Sequence, residues 1–278
     1  MRALLDFAVK GSAACAAAFQ FLSRLPVPVT LHYDHAMFRR SVVFYPLVGA
    51  VLGVLLSLGG LVLQSVLPPP AAAAFMVVLW VAMTGALHLD GLMDTADGIL
   101  SHRPKEQMLE IMKDSRVGAM GVVACVLLLL CKWTLLQAWL PLSAGGSLFV
   151  LPLVTLWSRW YMVLAIACWP YARVGPNGEA EGLGAFFRGL GWKHISLHTT
   201  MALLLSALLV VCSGHSLLSV QGLGILAIAA GASGISGWGL SAYLHKKLGG
   251  LTGDTYGAIN ELLELVLLLI LYGGLQLN

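Results

Sequence analysis

The sequence predicts an all-α integral membrane bundle of about seven spans. An N-terminal interfacial or re-entrant helix precedes them, and residues 1–278 form one domain. Three observations predict this. Hydrophobic residues fill 59% of the 278 positions and charged residues only 10%, against roughly 25% charged in a soluble domain. Mean hydropathy is +0.87. The apolar residues fall in long runs separated by short polar segments, without the alternation that barrel strands need. The same composition excludes disorder, because so little charge cannot keep a chain solvated. It also excludes a disulfide scaffold. Cys15, Cys125, Cys131, Cys168 and Cys212 all lie in apolar stretches without paired spacing.

Residues 3–22 are the weakest apolar run. Asp6 and Lys10 lie four apart and can pair on one helix face. The segment reads as an interfacial or re-entrant helix, with an eighth span as the alternative. Its interrupting charges argue against a signal peptide. The spans then follow at residues 42–67, 71–87, 118–140, 147–169, 195–212, 217–244 and 258–275. Three prolines, Pro68 to Pro70, separate the first two. Gly49 with Gly53, and Gly231, Gly234, Gly237 and Gly239, are small-residue stripes that read as close helix packing.

The connections alternate in charge. Segments 23–41, 101–117, 170–194 and 245–257 carry Arg24, Arg39, Arg40, Arg103, Lys105, Lys113, Arg116, Arg173, Arg188, Lys193, Lys246 and Lys247. Segments 68–70, 141–146, 213–216 and the C-terminal tail carry no Lys or Arg. The positive-inside rule puts the first set in the cytoplasm and the C-terminus outside.

The carboxylates cluster on that same side, and segment 85–98 is the most informative. If the helix starting at Ala71 continues through it, Asp94 and Asp97 lie about 40° and about −20° from Asp90 around the axis. Three like charges on one face near lipid repel one another. A divalent cation relieves the repulsion, and oxygen-only ligation suits Mg²⁺ or Mn²⁺. Asp90, Asp94 and Asp97 are therefore the expected metal ligands; three solvated or Arg-paired acids at a helix end are the alternative. His88 projects about 160° from Asp90 on such a helix, as a substrate contact or a packed histidine.

The stretch 113–121 holds Lys113, Arg116 and two glycines, Gly118 and Gly121, before a span. It can bind phosphate through side chains and helix N-terminal amides, or simply anchor the positive side. Arg159 lies mid-span and requires a partner or an aqueous cavity; an Asp of the cluster or a substrate phosphate would serve. Lys132, placed toward the outer end of its span, reads as a snorkelling residue. Segment 249–258 is glycine-rich, and its Asp254 and Thr255 can cap the following helix. Glu261 and Glu264 continue into the apolar span. Asp254 and Glu261 can complete a metal shell or orient a hydroxyl.

Together these segments resemble the adenosylcobinamide-GDP ribazoletransferase (cobalamin synthase) family nearly end to end. The resemblance is carried by Phe21-Leu22-Ser23-Arg24-Leu25-Pro26-Val27-Pro28, Tyr45-Pro46-Leu47-Val48-Gly49, residues 85–98, residues 113–121, Ser158-Arg159-Trp160, Pro170-Tyr171-Ala172-Arg173 and residues 249–258. The aspartate stretch and Gly249-Gly250-Leu251-Thr252-Gly253-Asp254 are the specific ones. It implies a Mg²⁺-dependent transferase of the bacterial inner membrane, acting on a phosphorus-containing group. Adenosylcobinamide-GDP and α-ribazole (or its 5′-phosphate) would give adenosylcobalamin (or its 5′-phosphate) and GMP. Expected partners are the corrinoid-GDP and α-ribazole substrates and the lipid bilayer. Nucleic acid is not expected, and a homo-oligomer is allowed. In this reading Arg24, Lys113, Arg116, Arg159, Arg173, Thr252 and Glu261 contact substrate, and His88, Asp97 or Asp254 handles the hydroxyl proton. A CDP-alcohol phosphotransferase is a poorer match because its Ala-Arg-spaced acidic pairs are missing. A cation transporter would place its acids at mid-bilayer and its polar groups on both faces.

Overall fold

The computed structural model describes residues 2–141, 150–173, 183–187, 189–214 and 216–276, with backbone alone for 2–8, 183, 185, 275 and 276. The Asp6 side chain, Glu179, Glu181 and Arg188 thus lie outside the described residues, and the pairing expected for Asp6 with them. Among the described residues there are eleven α-helices and no strand. They are α1 (Arg2–Leu22), α2 (His35–Ser41), α3 (Tyr45–Val66), α4 (Pro69–Thr84), α5 (Leu87–Leu100), α6 (Lys105–Ile111), α7 (Ala119–Trp139), α8 (Leu151–Cys168), α9 (Trp192–Cys212), α10 (Val220–Leu248) and α11 (Gly253–Gln276).

Among the described residues, six helices or helix runs are long and apolar enough to cross a membrane. A seventh span arises if α4 and α5 are taken together across a 92° bend. Helix α1 is not among them; its Ala14, Ala17, Ala18 and Leu22 are buried, and it packs chiefly on α2. Proline opens α3, α4 and α8, where its missing N–H has no helical partner to lose.

Helix α8 forms the core of the bundle. Its hydrophobic window is 72% buried, against 17% for α10, so α8 is ringed by protein while α10 turns most of its surface outward. The closest crossing is α3 on α8. Any side chain at Gly49 would run into the Thr155 and Leu156 backbone, and Thr155 Oγ1 donates to Gly49 O at 2.7 Å. The Gly49 and Gly53 stripe therefore packs as expected. The second stripe does so only at Gly237, which lies against the Tyr161 ring. Gly231, Gly234 and Gly239 have none of the described residues packed within 4 Å.

The expectation of one helix running from Ala71 through the aspartates needs correction. Helix α4 closes with Gly85 in the left-handed region at φ 63°. Ala86 N–H donates to Val81 O and Gly85 N–H to Ala82 O, the paired closing bonds of a Schellman motif. Ala86 itself has φ 58°, and α5 starts again at Leu87 in the new direction. The bend lays α5 between α11 and α7.

Candidate active site

Four connections meet where α5 lies. Ser23–Arg24 reach the end of α4 through Arg24 N–H to Met83 O, 2.7 Å. Segments 170–172 and 251 join in a short parallel bridge, with Leu251 N–H to Pro170 O and Ala172 N–H to Leu251 O, both 2.8 Å. Arg173 then reaches Met112 O at 3.0 Å. All four belong to the Lys/Arg-bearing set of segments, so the folded chain gathers that set at one end.

A cavity of about 210 Å³ opens there. His88, Asp90, Arg173 and Asp254 supply its charged and polar wall, and Phe21, Tyr45, Met162, Phe187 and Tyr256 much of the apolar one. Asp254 comes to the wall because α5 and α11 cross with little between them. A side chain at Gly91 would run into the Asp254 backbone, and one at Gly257 would press on His88. Thr252 and Thr255 cap α11 reciprocally: Thr252 N–H donates to Thr255 Oγ1 at 2.7 Å and Thr255 N–H to Thr252 Oγ1 at 3.2 Å. The capping anticipated for Thr255 is thus made with Thr252, not Asp254. Thr252, expected at the substrate, is fully buried in that cap. Asp254 instead accepts from Arg173 Nη2 at 2.5 Å.

The three aspartates of α5 do not act as one set. Asp90 is exposed on the cavity wall. Asp94 lies between Asp90, Asp97 and Asp254 and feels the charge of each, and of Arg173. Asp97 points to the start of α7, where its carboxylate accepts from Gly118 N–H at 2.7 Å and Gly121 N–H at 2.8 Å. The helix N-terminus expected to hold a phosphate thus already holds an anion, from the protein itself. Of the three aspartates, Asp90 alone lines the cavity; Asp94, one turn further along α5, and Asp97 do not. Among the described residues no three His, Cys, Asp or Glu side chains converge as a metal cage. The donors near the cavity are nevertheless carboxylate oxygens, which fit a hard cation that keeps most of its waters and needs only one or two protein ligands.

The basic residues also divide. Arg173 alone among those expected to hold phosphate lines the cavity. Arg24 is exposed, and its side chain lies over Gly85. Lys113 is exposed. Arg116 forks onto Asp114 at 2.6 Å, and these hydrogen bonds hold the Asp114 carboxyl down at about 2.

Arg159 and Glu261, both expected at the substrate, lie in a buried network that residue patterns did not reveal. Arg159 Nη1 donates to Glu264 at 2.5 Å, and Lys132 Nζ bridges Glu261 at 2.6 Å and Glu264 at 2.5 Å. Lys132 also lies 4.2 Å over the Trp80 ring. All four charged residues are at most 3% exposed. The snorkelling reading of Lys132 is therefore wrong. It is the thirteenth residue after Ala119, about 20 Å along α7, and its counter-ions are the two glutamates of α11. Two cations and two anions cancel, which is how charge is kept inside a bundle. Asn260 joins the network to the cavity, its Nδ2 lying 3.3 Å from Glu264 and 3.1 Å from His88 Nδ1. The signal for this network was present as charges inside apolar runs; their partners lie more than 100 positions away.

Residues 14–272 match the family model described as CobS, cobalamin-5-phosphate synthase. Among curated relatives named adenosylcobinamide-GDP ribazoletransferase, that of Brevibacillus brevis is 39% identical over 92% of this chain and 96% of its own. That of Desulfitobacterium hafniense is 37% identical over 91% and 93%, and that of Pseudomonas putida 38% over 93% and 98%. No solved structure matches the chain.

Proposed function

The chain belongs to the CobS, cobalamin-5-phosphate synthase, family, and from that premise we propose that the cavity bounded by His88, Asp90, Arg173 and Asp254 is where adenosylcobinamide-GDP meets α-ribazole or its 5′-phosphate. One observation carries the placement. This is the cavity where carboxylates from α5 and α11 face a cation from the 170–173 segment, against an otherwise apolar wall.

In this reading the ribazole hydroxyl oxygen attacks the cobinamide-side phosphorus of the pyrophosphate. The phosphorus–oxygen bond to GMP breaks and GMP leaves. Most of the rate comes from positioning and from neutralising charge on the transferring phosphorus. Arg173 holds a phosphate oxygen while keeping Asp254 in a fixed orientation. The hydroxyl proton passes to a carboxylate on the wall, and Asp254 is the one so held. Asp90 and Asp94 are the residues that would hold Mg²⁺ with the pyrophosphate. When bound, the ion would offset the charge of its oxygens. Asp97 anchors α5 to α7 through the Gly118 and Gly121 amides. The apolar wall shields the reacting groups from water.

The reading also sets the protein in the bacterial inner membrane, with the cavity toward the cytoplasm and the C-terminus outside. The one-ended gathering of Lys- and Arg-bearing segments supports this.

The test is corrinoid product analysis after incubating purified protein in liposomes with adenosylcobinamide-GDP and α-ribazole 5′-phosphate across a Mg²⁺ series. Transfer should require the ion. Asp94→Asn and Asp254→Asn should each lower it by roughly two orders of magnitude or more, as loss of a preorganised charged group does. Wild-type turnover by Asp94→Asn with unchanged Mg²⁺ dependence would sink the metal assignment. Wild-type turnover by Asp254→Asn would sink the cavity assignment.

A further inference from the structure

His88 enters the cavity wall from the buried side. The residue is 3% exposed, and its Nε2 is buried without a hydrogen-bond partner among the described residues. Its other ring nitrogen, Nδ1, meets Asn260 Nδ2 at 3.1 Å. The same Asn260 nitrogen lies 3.3 Å from Glu264 Oε1. A carboxylate can only accept, so the Asn260 atom facing Glu264 must be the amide nitrogen; the amide oxygen there would set two acceptors together. That nitrogen has a second N–H, directed at His88 Nδ1, which must then be the unprotonated, accepting nitrogen. Neutral imidazole with Nδ1 unprotonated carries its proton on Nε2. Glu264 is held as the anion by Arg159 at 2.5 Å and Lys132 at 2.5 Å, so every link has its polarity set by the one before.

We propose that the relay from Arg159 and Lys132 through Glu264 and Asn260 locks His88 as a hydrogen-bond donor, its Nε2–H offered to a phosphate oxygen of the ligand in the cavity. Asn260 is the positioning residue. His88 therefore does not take the hydroxyl proton, because the nitrogen able to accept one is engaged by Asn260. The acceptor's identity rests on the transfer-site reading above; the tautomer does not.

The test has a spectroscopic arm and a kinetic arm, both on the full chain in lipid nanodiscs. In ¹⁵N-histidine-labelled protein without substrate, the His88 signals are those missing from His88→Gln. An unprotonated Nδ1 and a protonated Nε2 are expected, with both tautomers appearing in Asn260→Leu. A protonated Nδ1 in the wild type, or an unchanged tautomer in Asn260→Leu, would overturn the relay. In the transfer assay, His88→Gln keeps an amide N–H near the Nε2 position, while His88→Asn places its amide near Nδ1. Gln should retain transfer roughly tenfold or more above Asn and Ala, since one hydrogen bond to a charged group is worth about that factor. Equal loss in Gln, Asn and Ala would overturn the donor role. Full transfer by Asp254→Asn beside the expected tautomer would instead overturn the site reading and leave the relay standing.

Discussion

Glu264 is the residue on which most buried charge depends. It is fully buried, and one of its oxygens takes Arg159 while the other takes Lys132. Removing one member of such a set leaves an uncompensated charge, which costs about 3–5 kcal/mol. We expect Glu264→Leu to lower thermal stability in detergent by that amount. Lys132→Met with Glu261→Leu, which removes one charge of each sign, should cost less than the sum of the two single changes. Additive melting shifts would show that the two residues do not interact. Arg173 differs because it reaches the cavity. Arg173→Met should lower transfer with a small effect on melting, since its partner Asp254 is still partly open to solvent. A loss of stability as large as that of Glu264→Leu would make Arg173 structural.

At the scale of elements, two features bring the site together. One is the 92° bend between α4 and α5, built by Gly85 and Ala86 in the left-handed region. The other is the crossing of α5 on α11 at Gly91 and Gly257. A Cβ at Gly91 would lie 2.6 Å from Asp254 O, so the helices must part. Overpacking of this kind costs about 1–3 kcal/mol, and here it also displaces Asp254 from Asp90. Gly91→Ala should therefore lose most transfer activity and melt lower. Gly239→Ala, where none of the described residues packs within 4 Å, should leave transfer unchanged and stabilise α10 by about 0.5–1 kcal/mol. Equal behaviour of the two variants would mean that the crossing does not position the site.

For the whole molecule, the consequence is sidedness. The Lys/Arg-bearing segments meet around the cavity. The connection at residues 213–216 carries no Lys or Arg and lies at the far end of α9. In a variant lacking the five native cysteines, a thiol at position 102 should react with a membrane-impermeant reagent only in inside-out vesicles. A thiol at position 216 should react only in right-side-out ones. The opposite pattern would invert the proposed topology.

Composition and run length determined that this chain is a helical membrane bundle, because burying so much apolar surface in lipid requires continuous helices of span length. Charge alternation was legible because it depends only on which loop a residue occupies. The Gly49 and Gly53 crossing was also a local signal, as were the polar interruptions at residues 85–98 and 249–258 that line the cavity. Three things were decided by the tertiary structure alone. Asp97 turned from the cavity to the α7 amides, because two unpaired N–H groups within reach compete with any ion. Arg159, Lys132 and Glu261 went to Glu264 and to one another, because a charge among apolar helices takes the partner that packing presents. Asp254 met Arg173 across 81 residues, because a bridge between two short loops put them there. Helical periodicity places a side chain on a face of its own helix; which neighbour that face meets depends on how the helices cross, and spacing along one chain does not contain that.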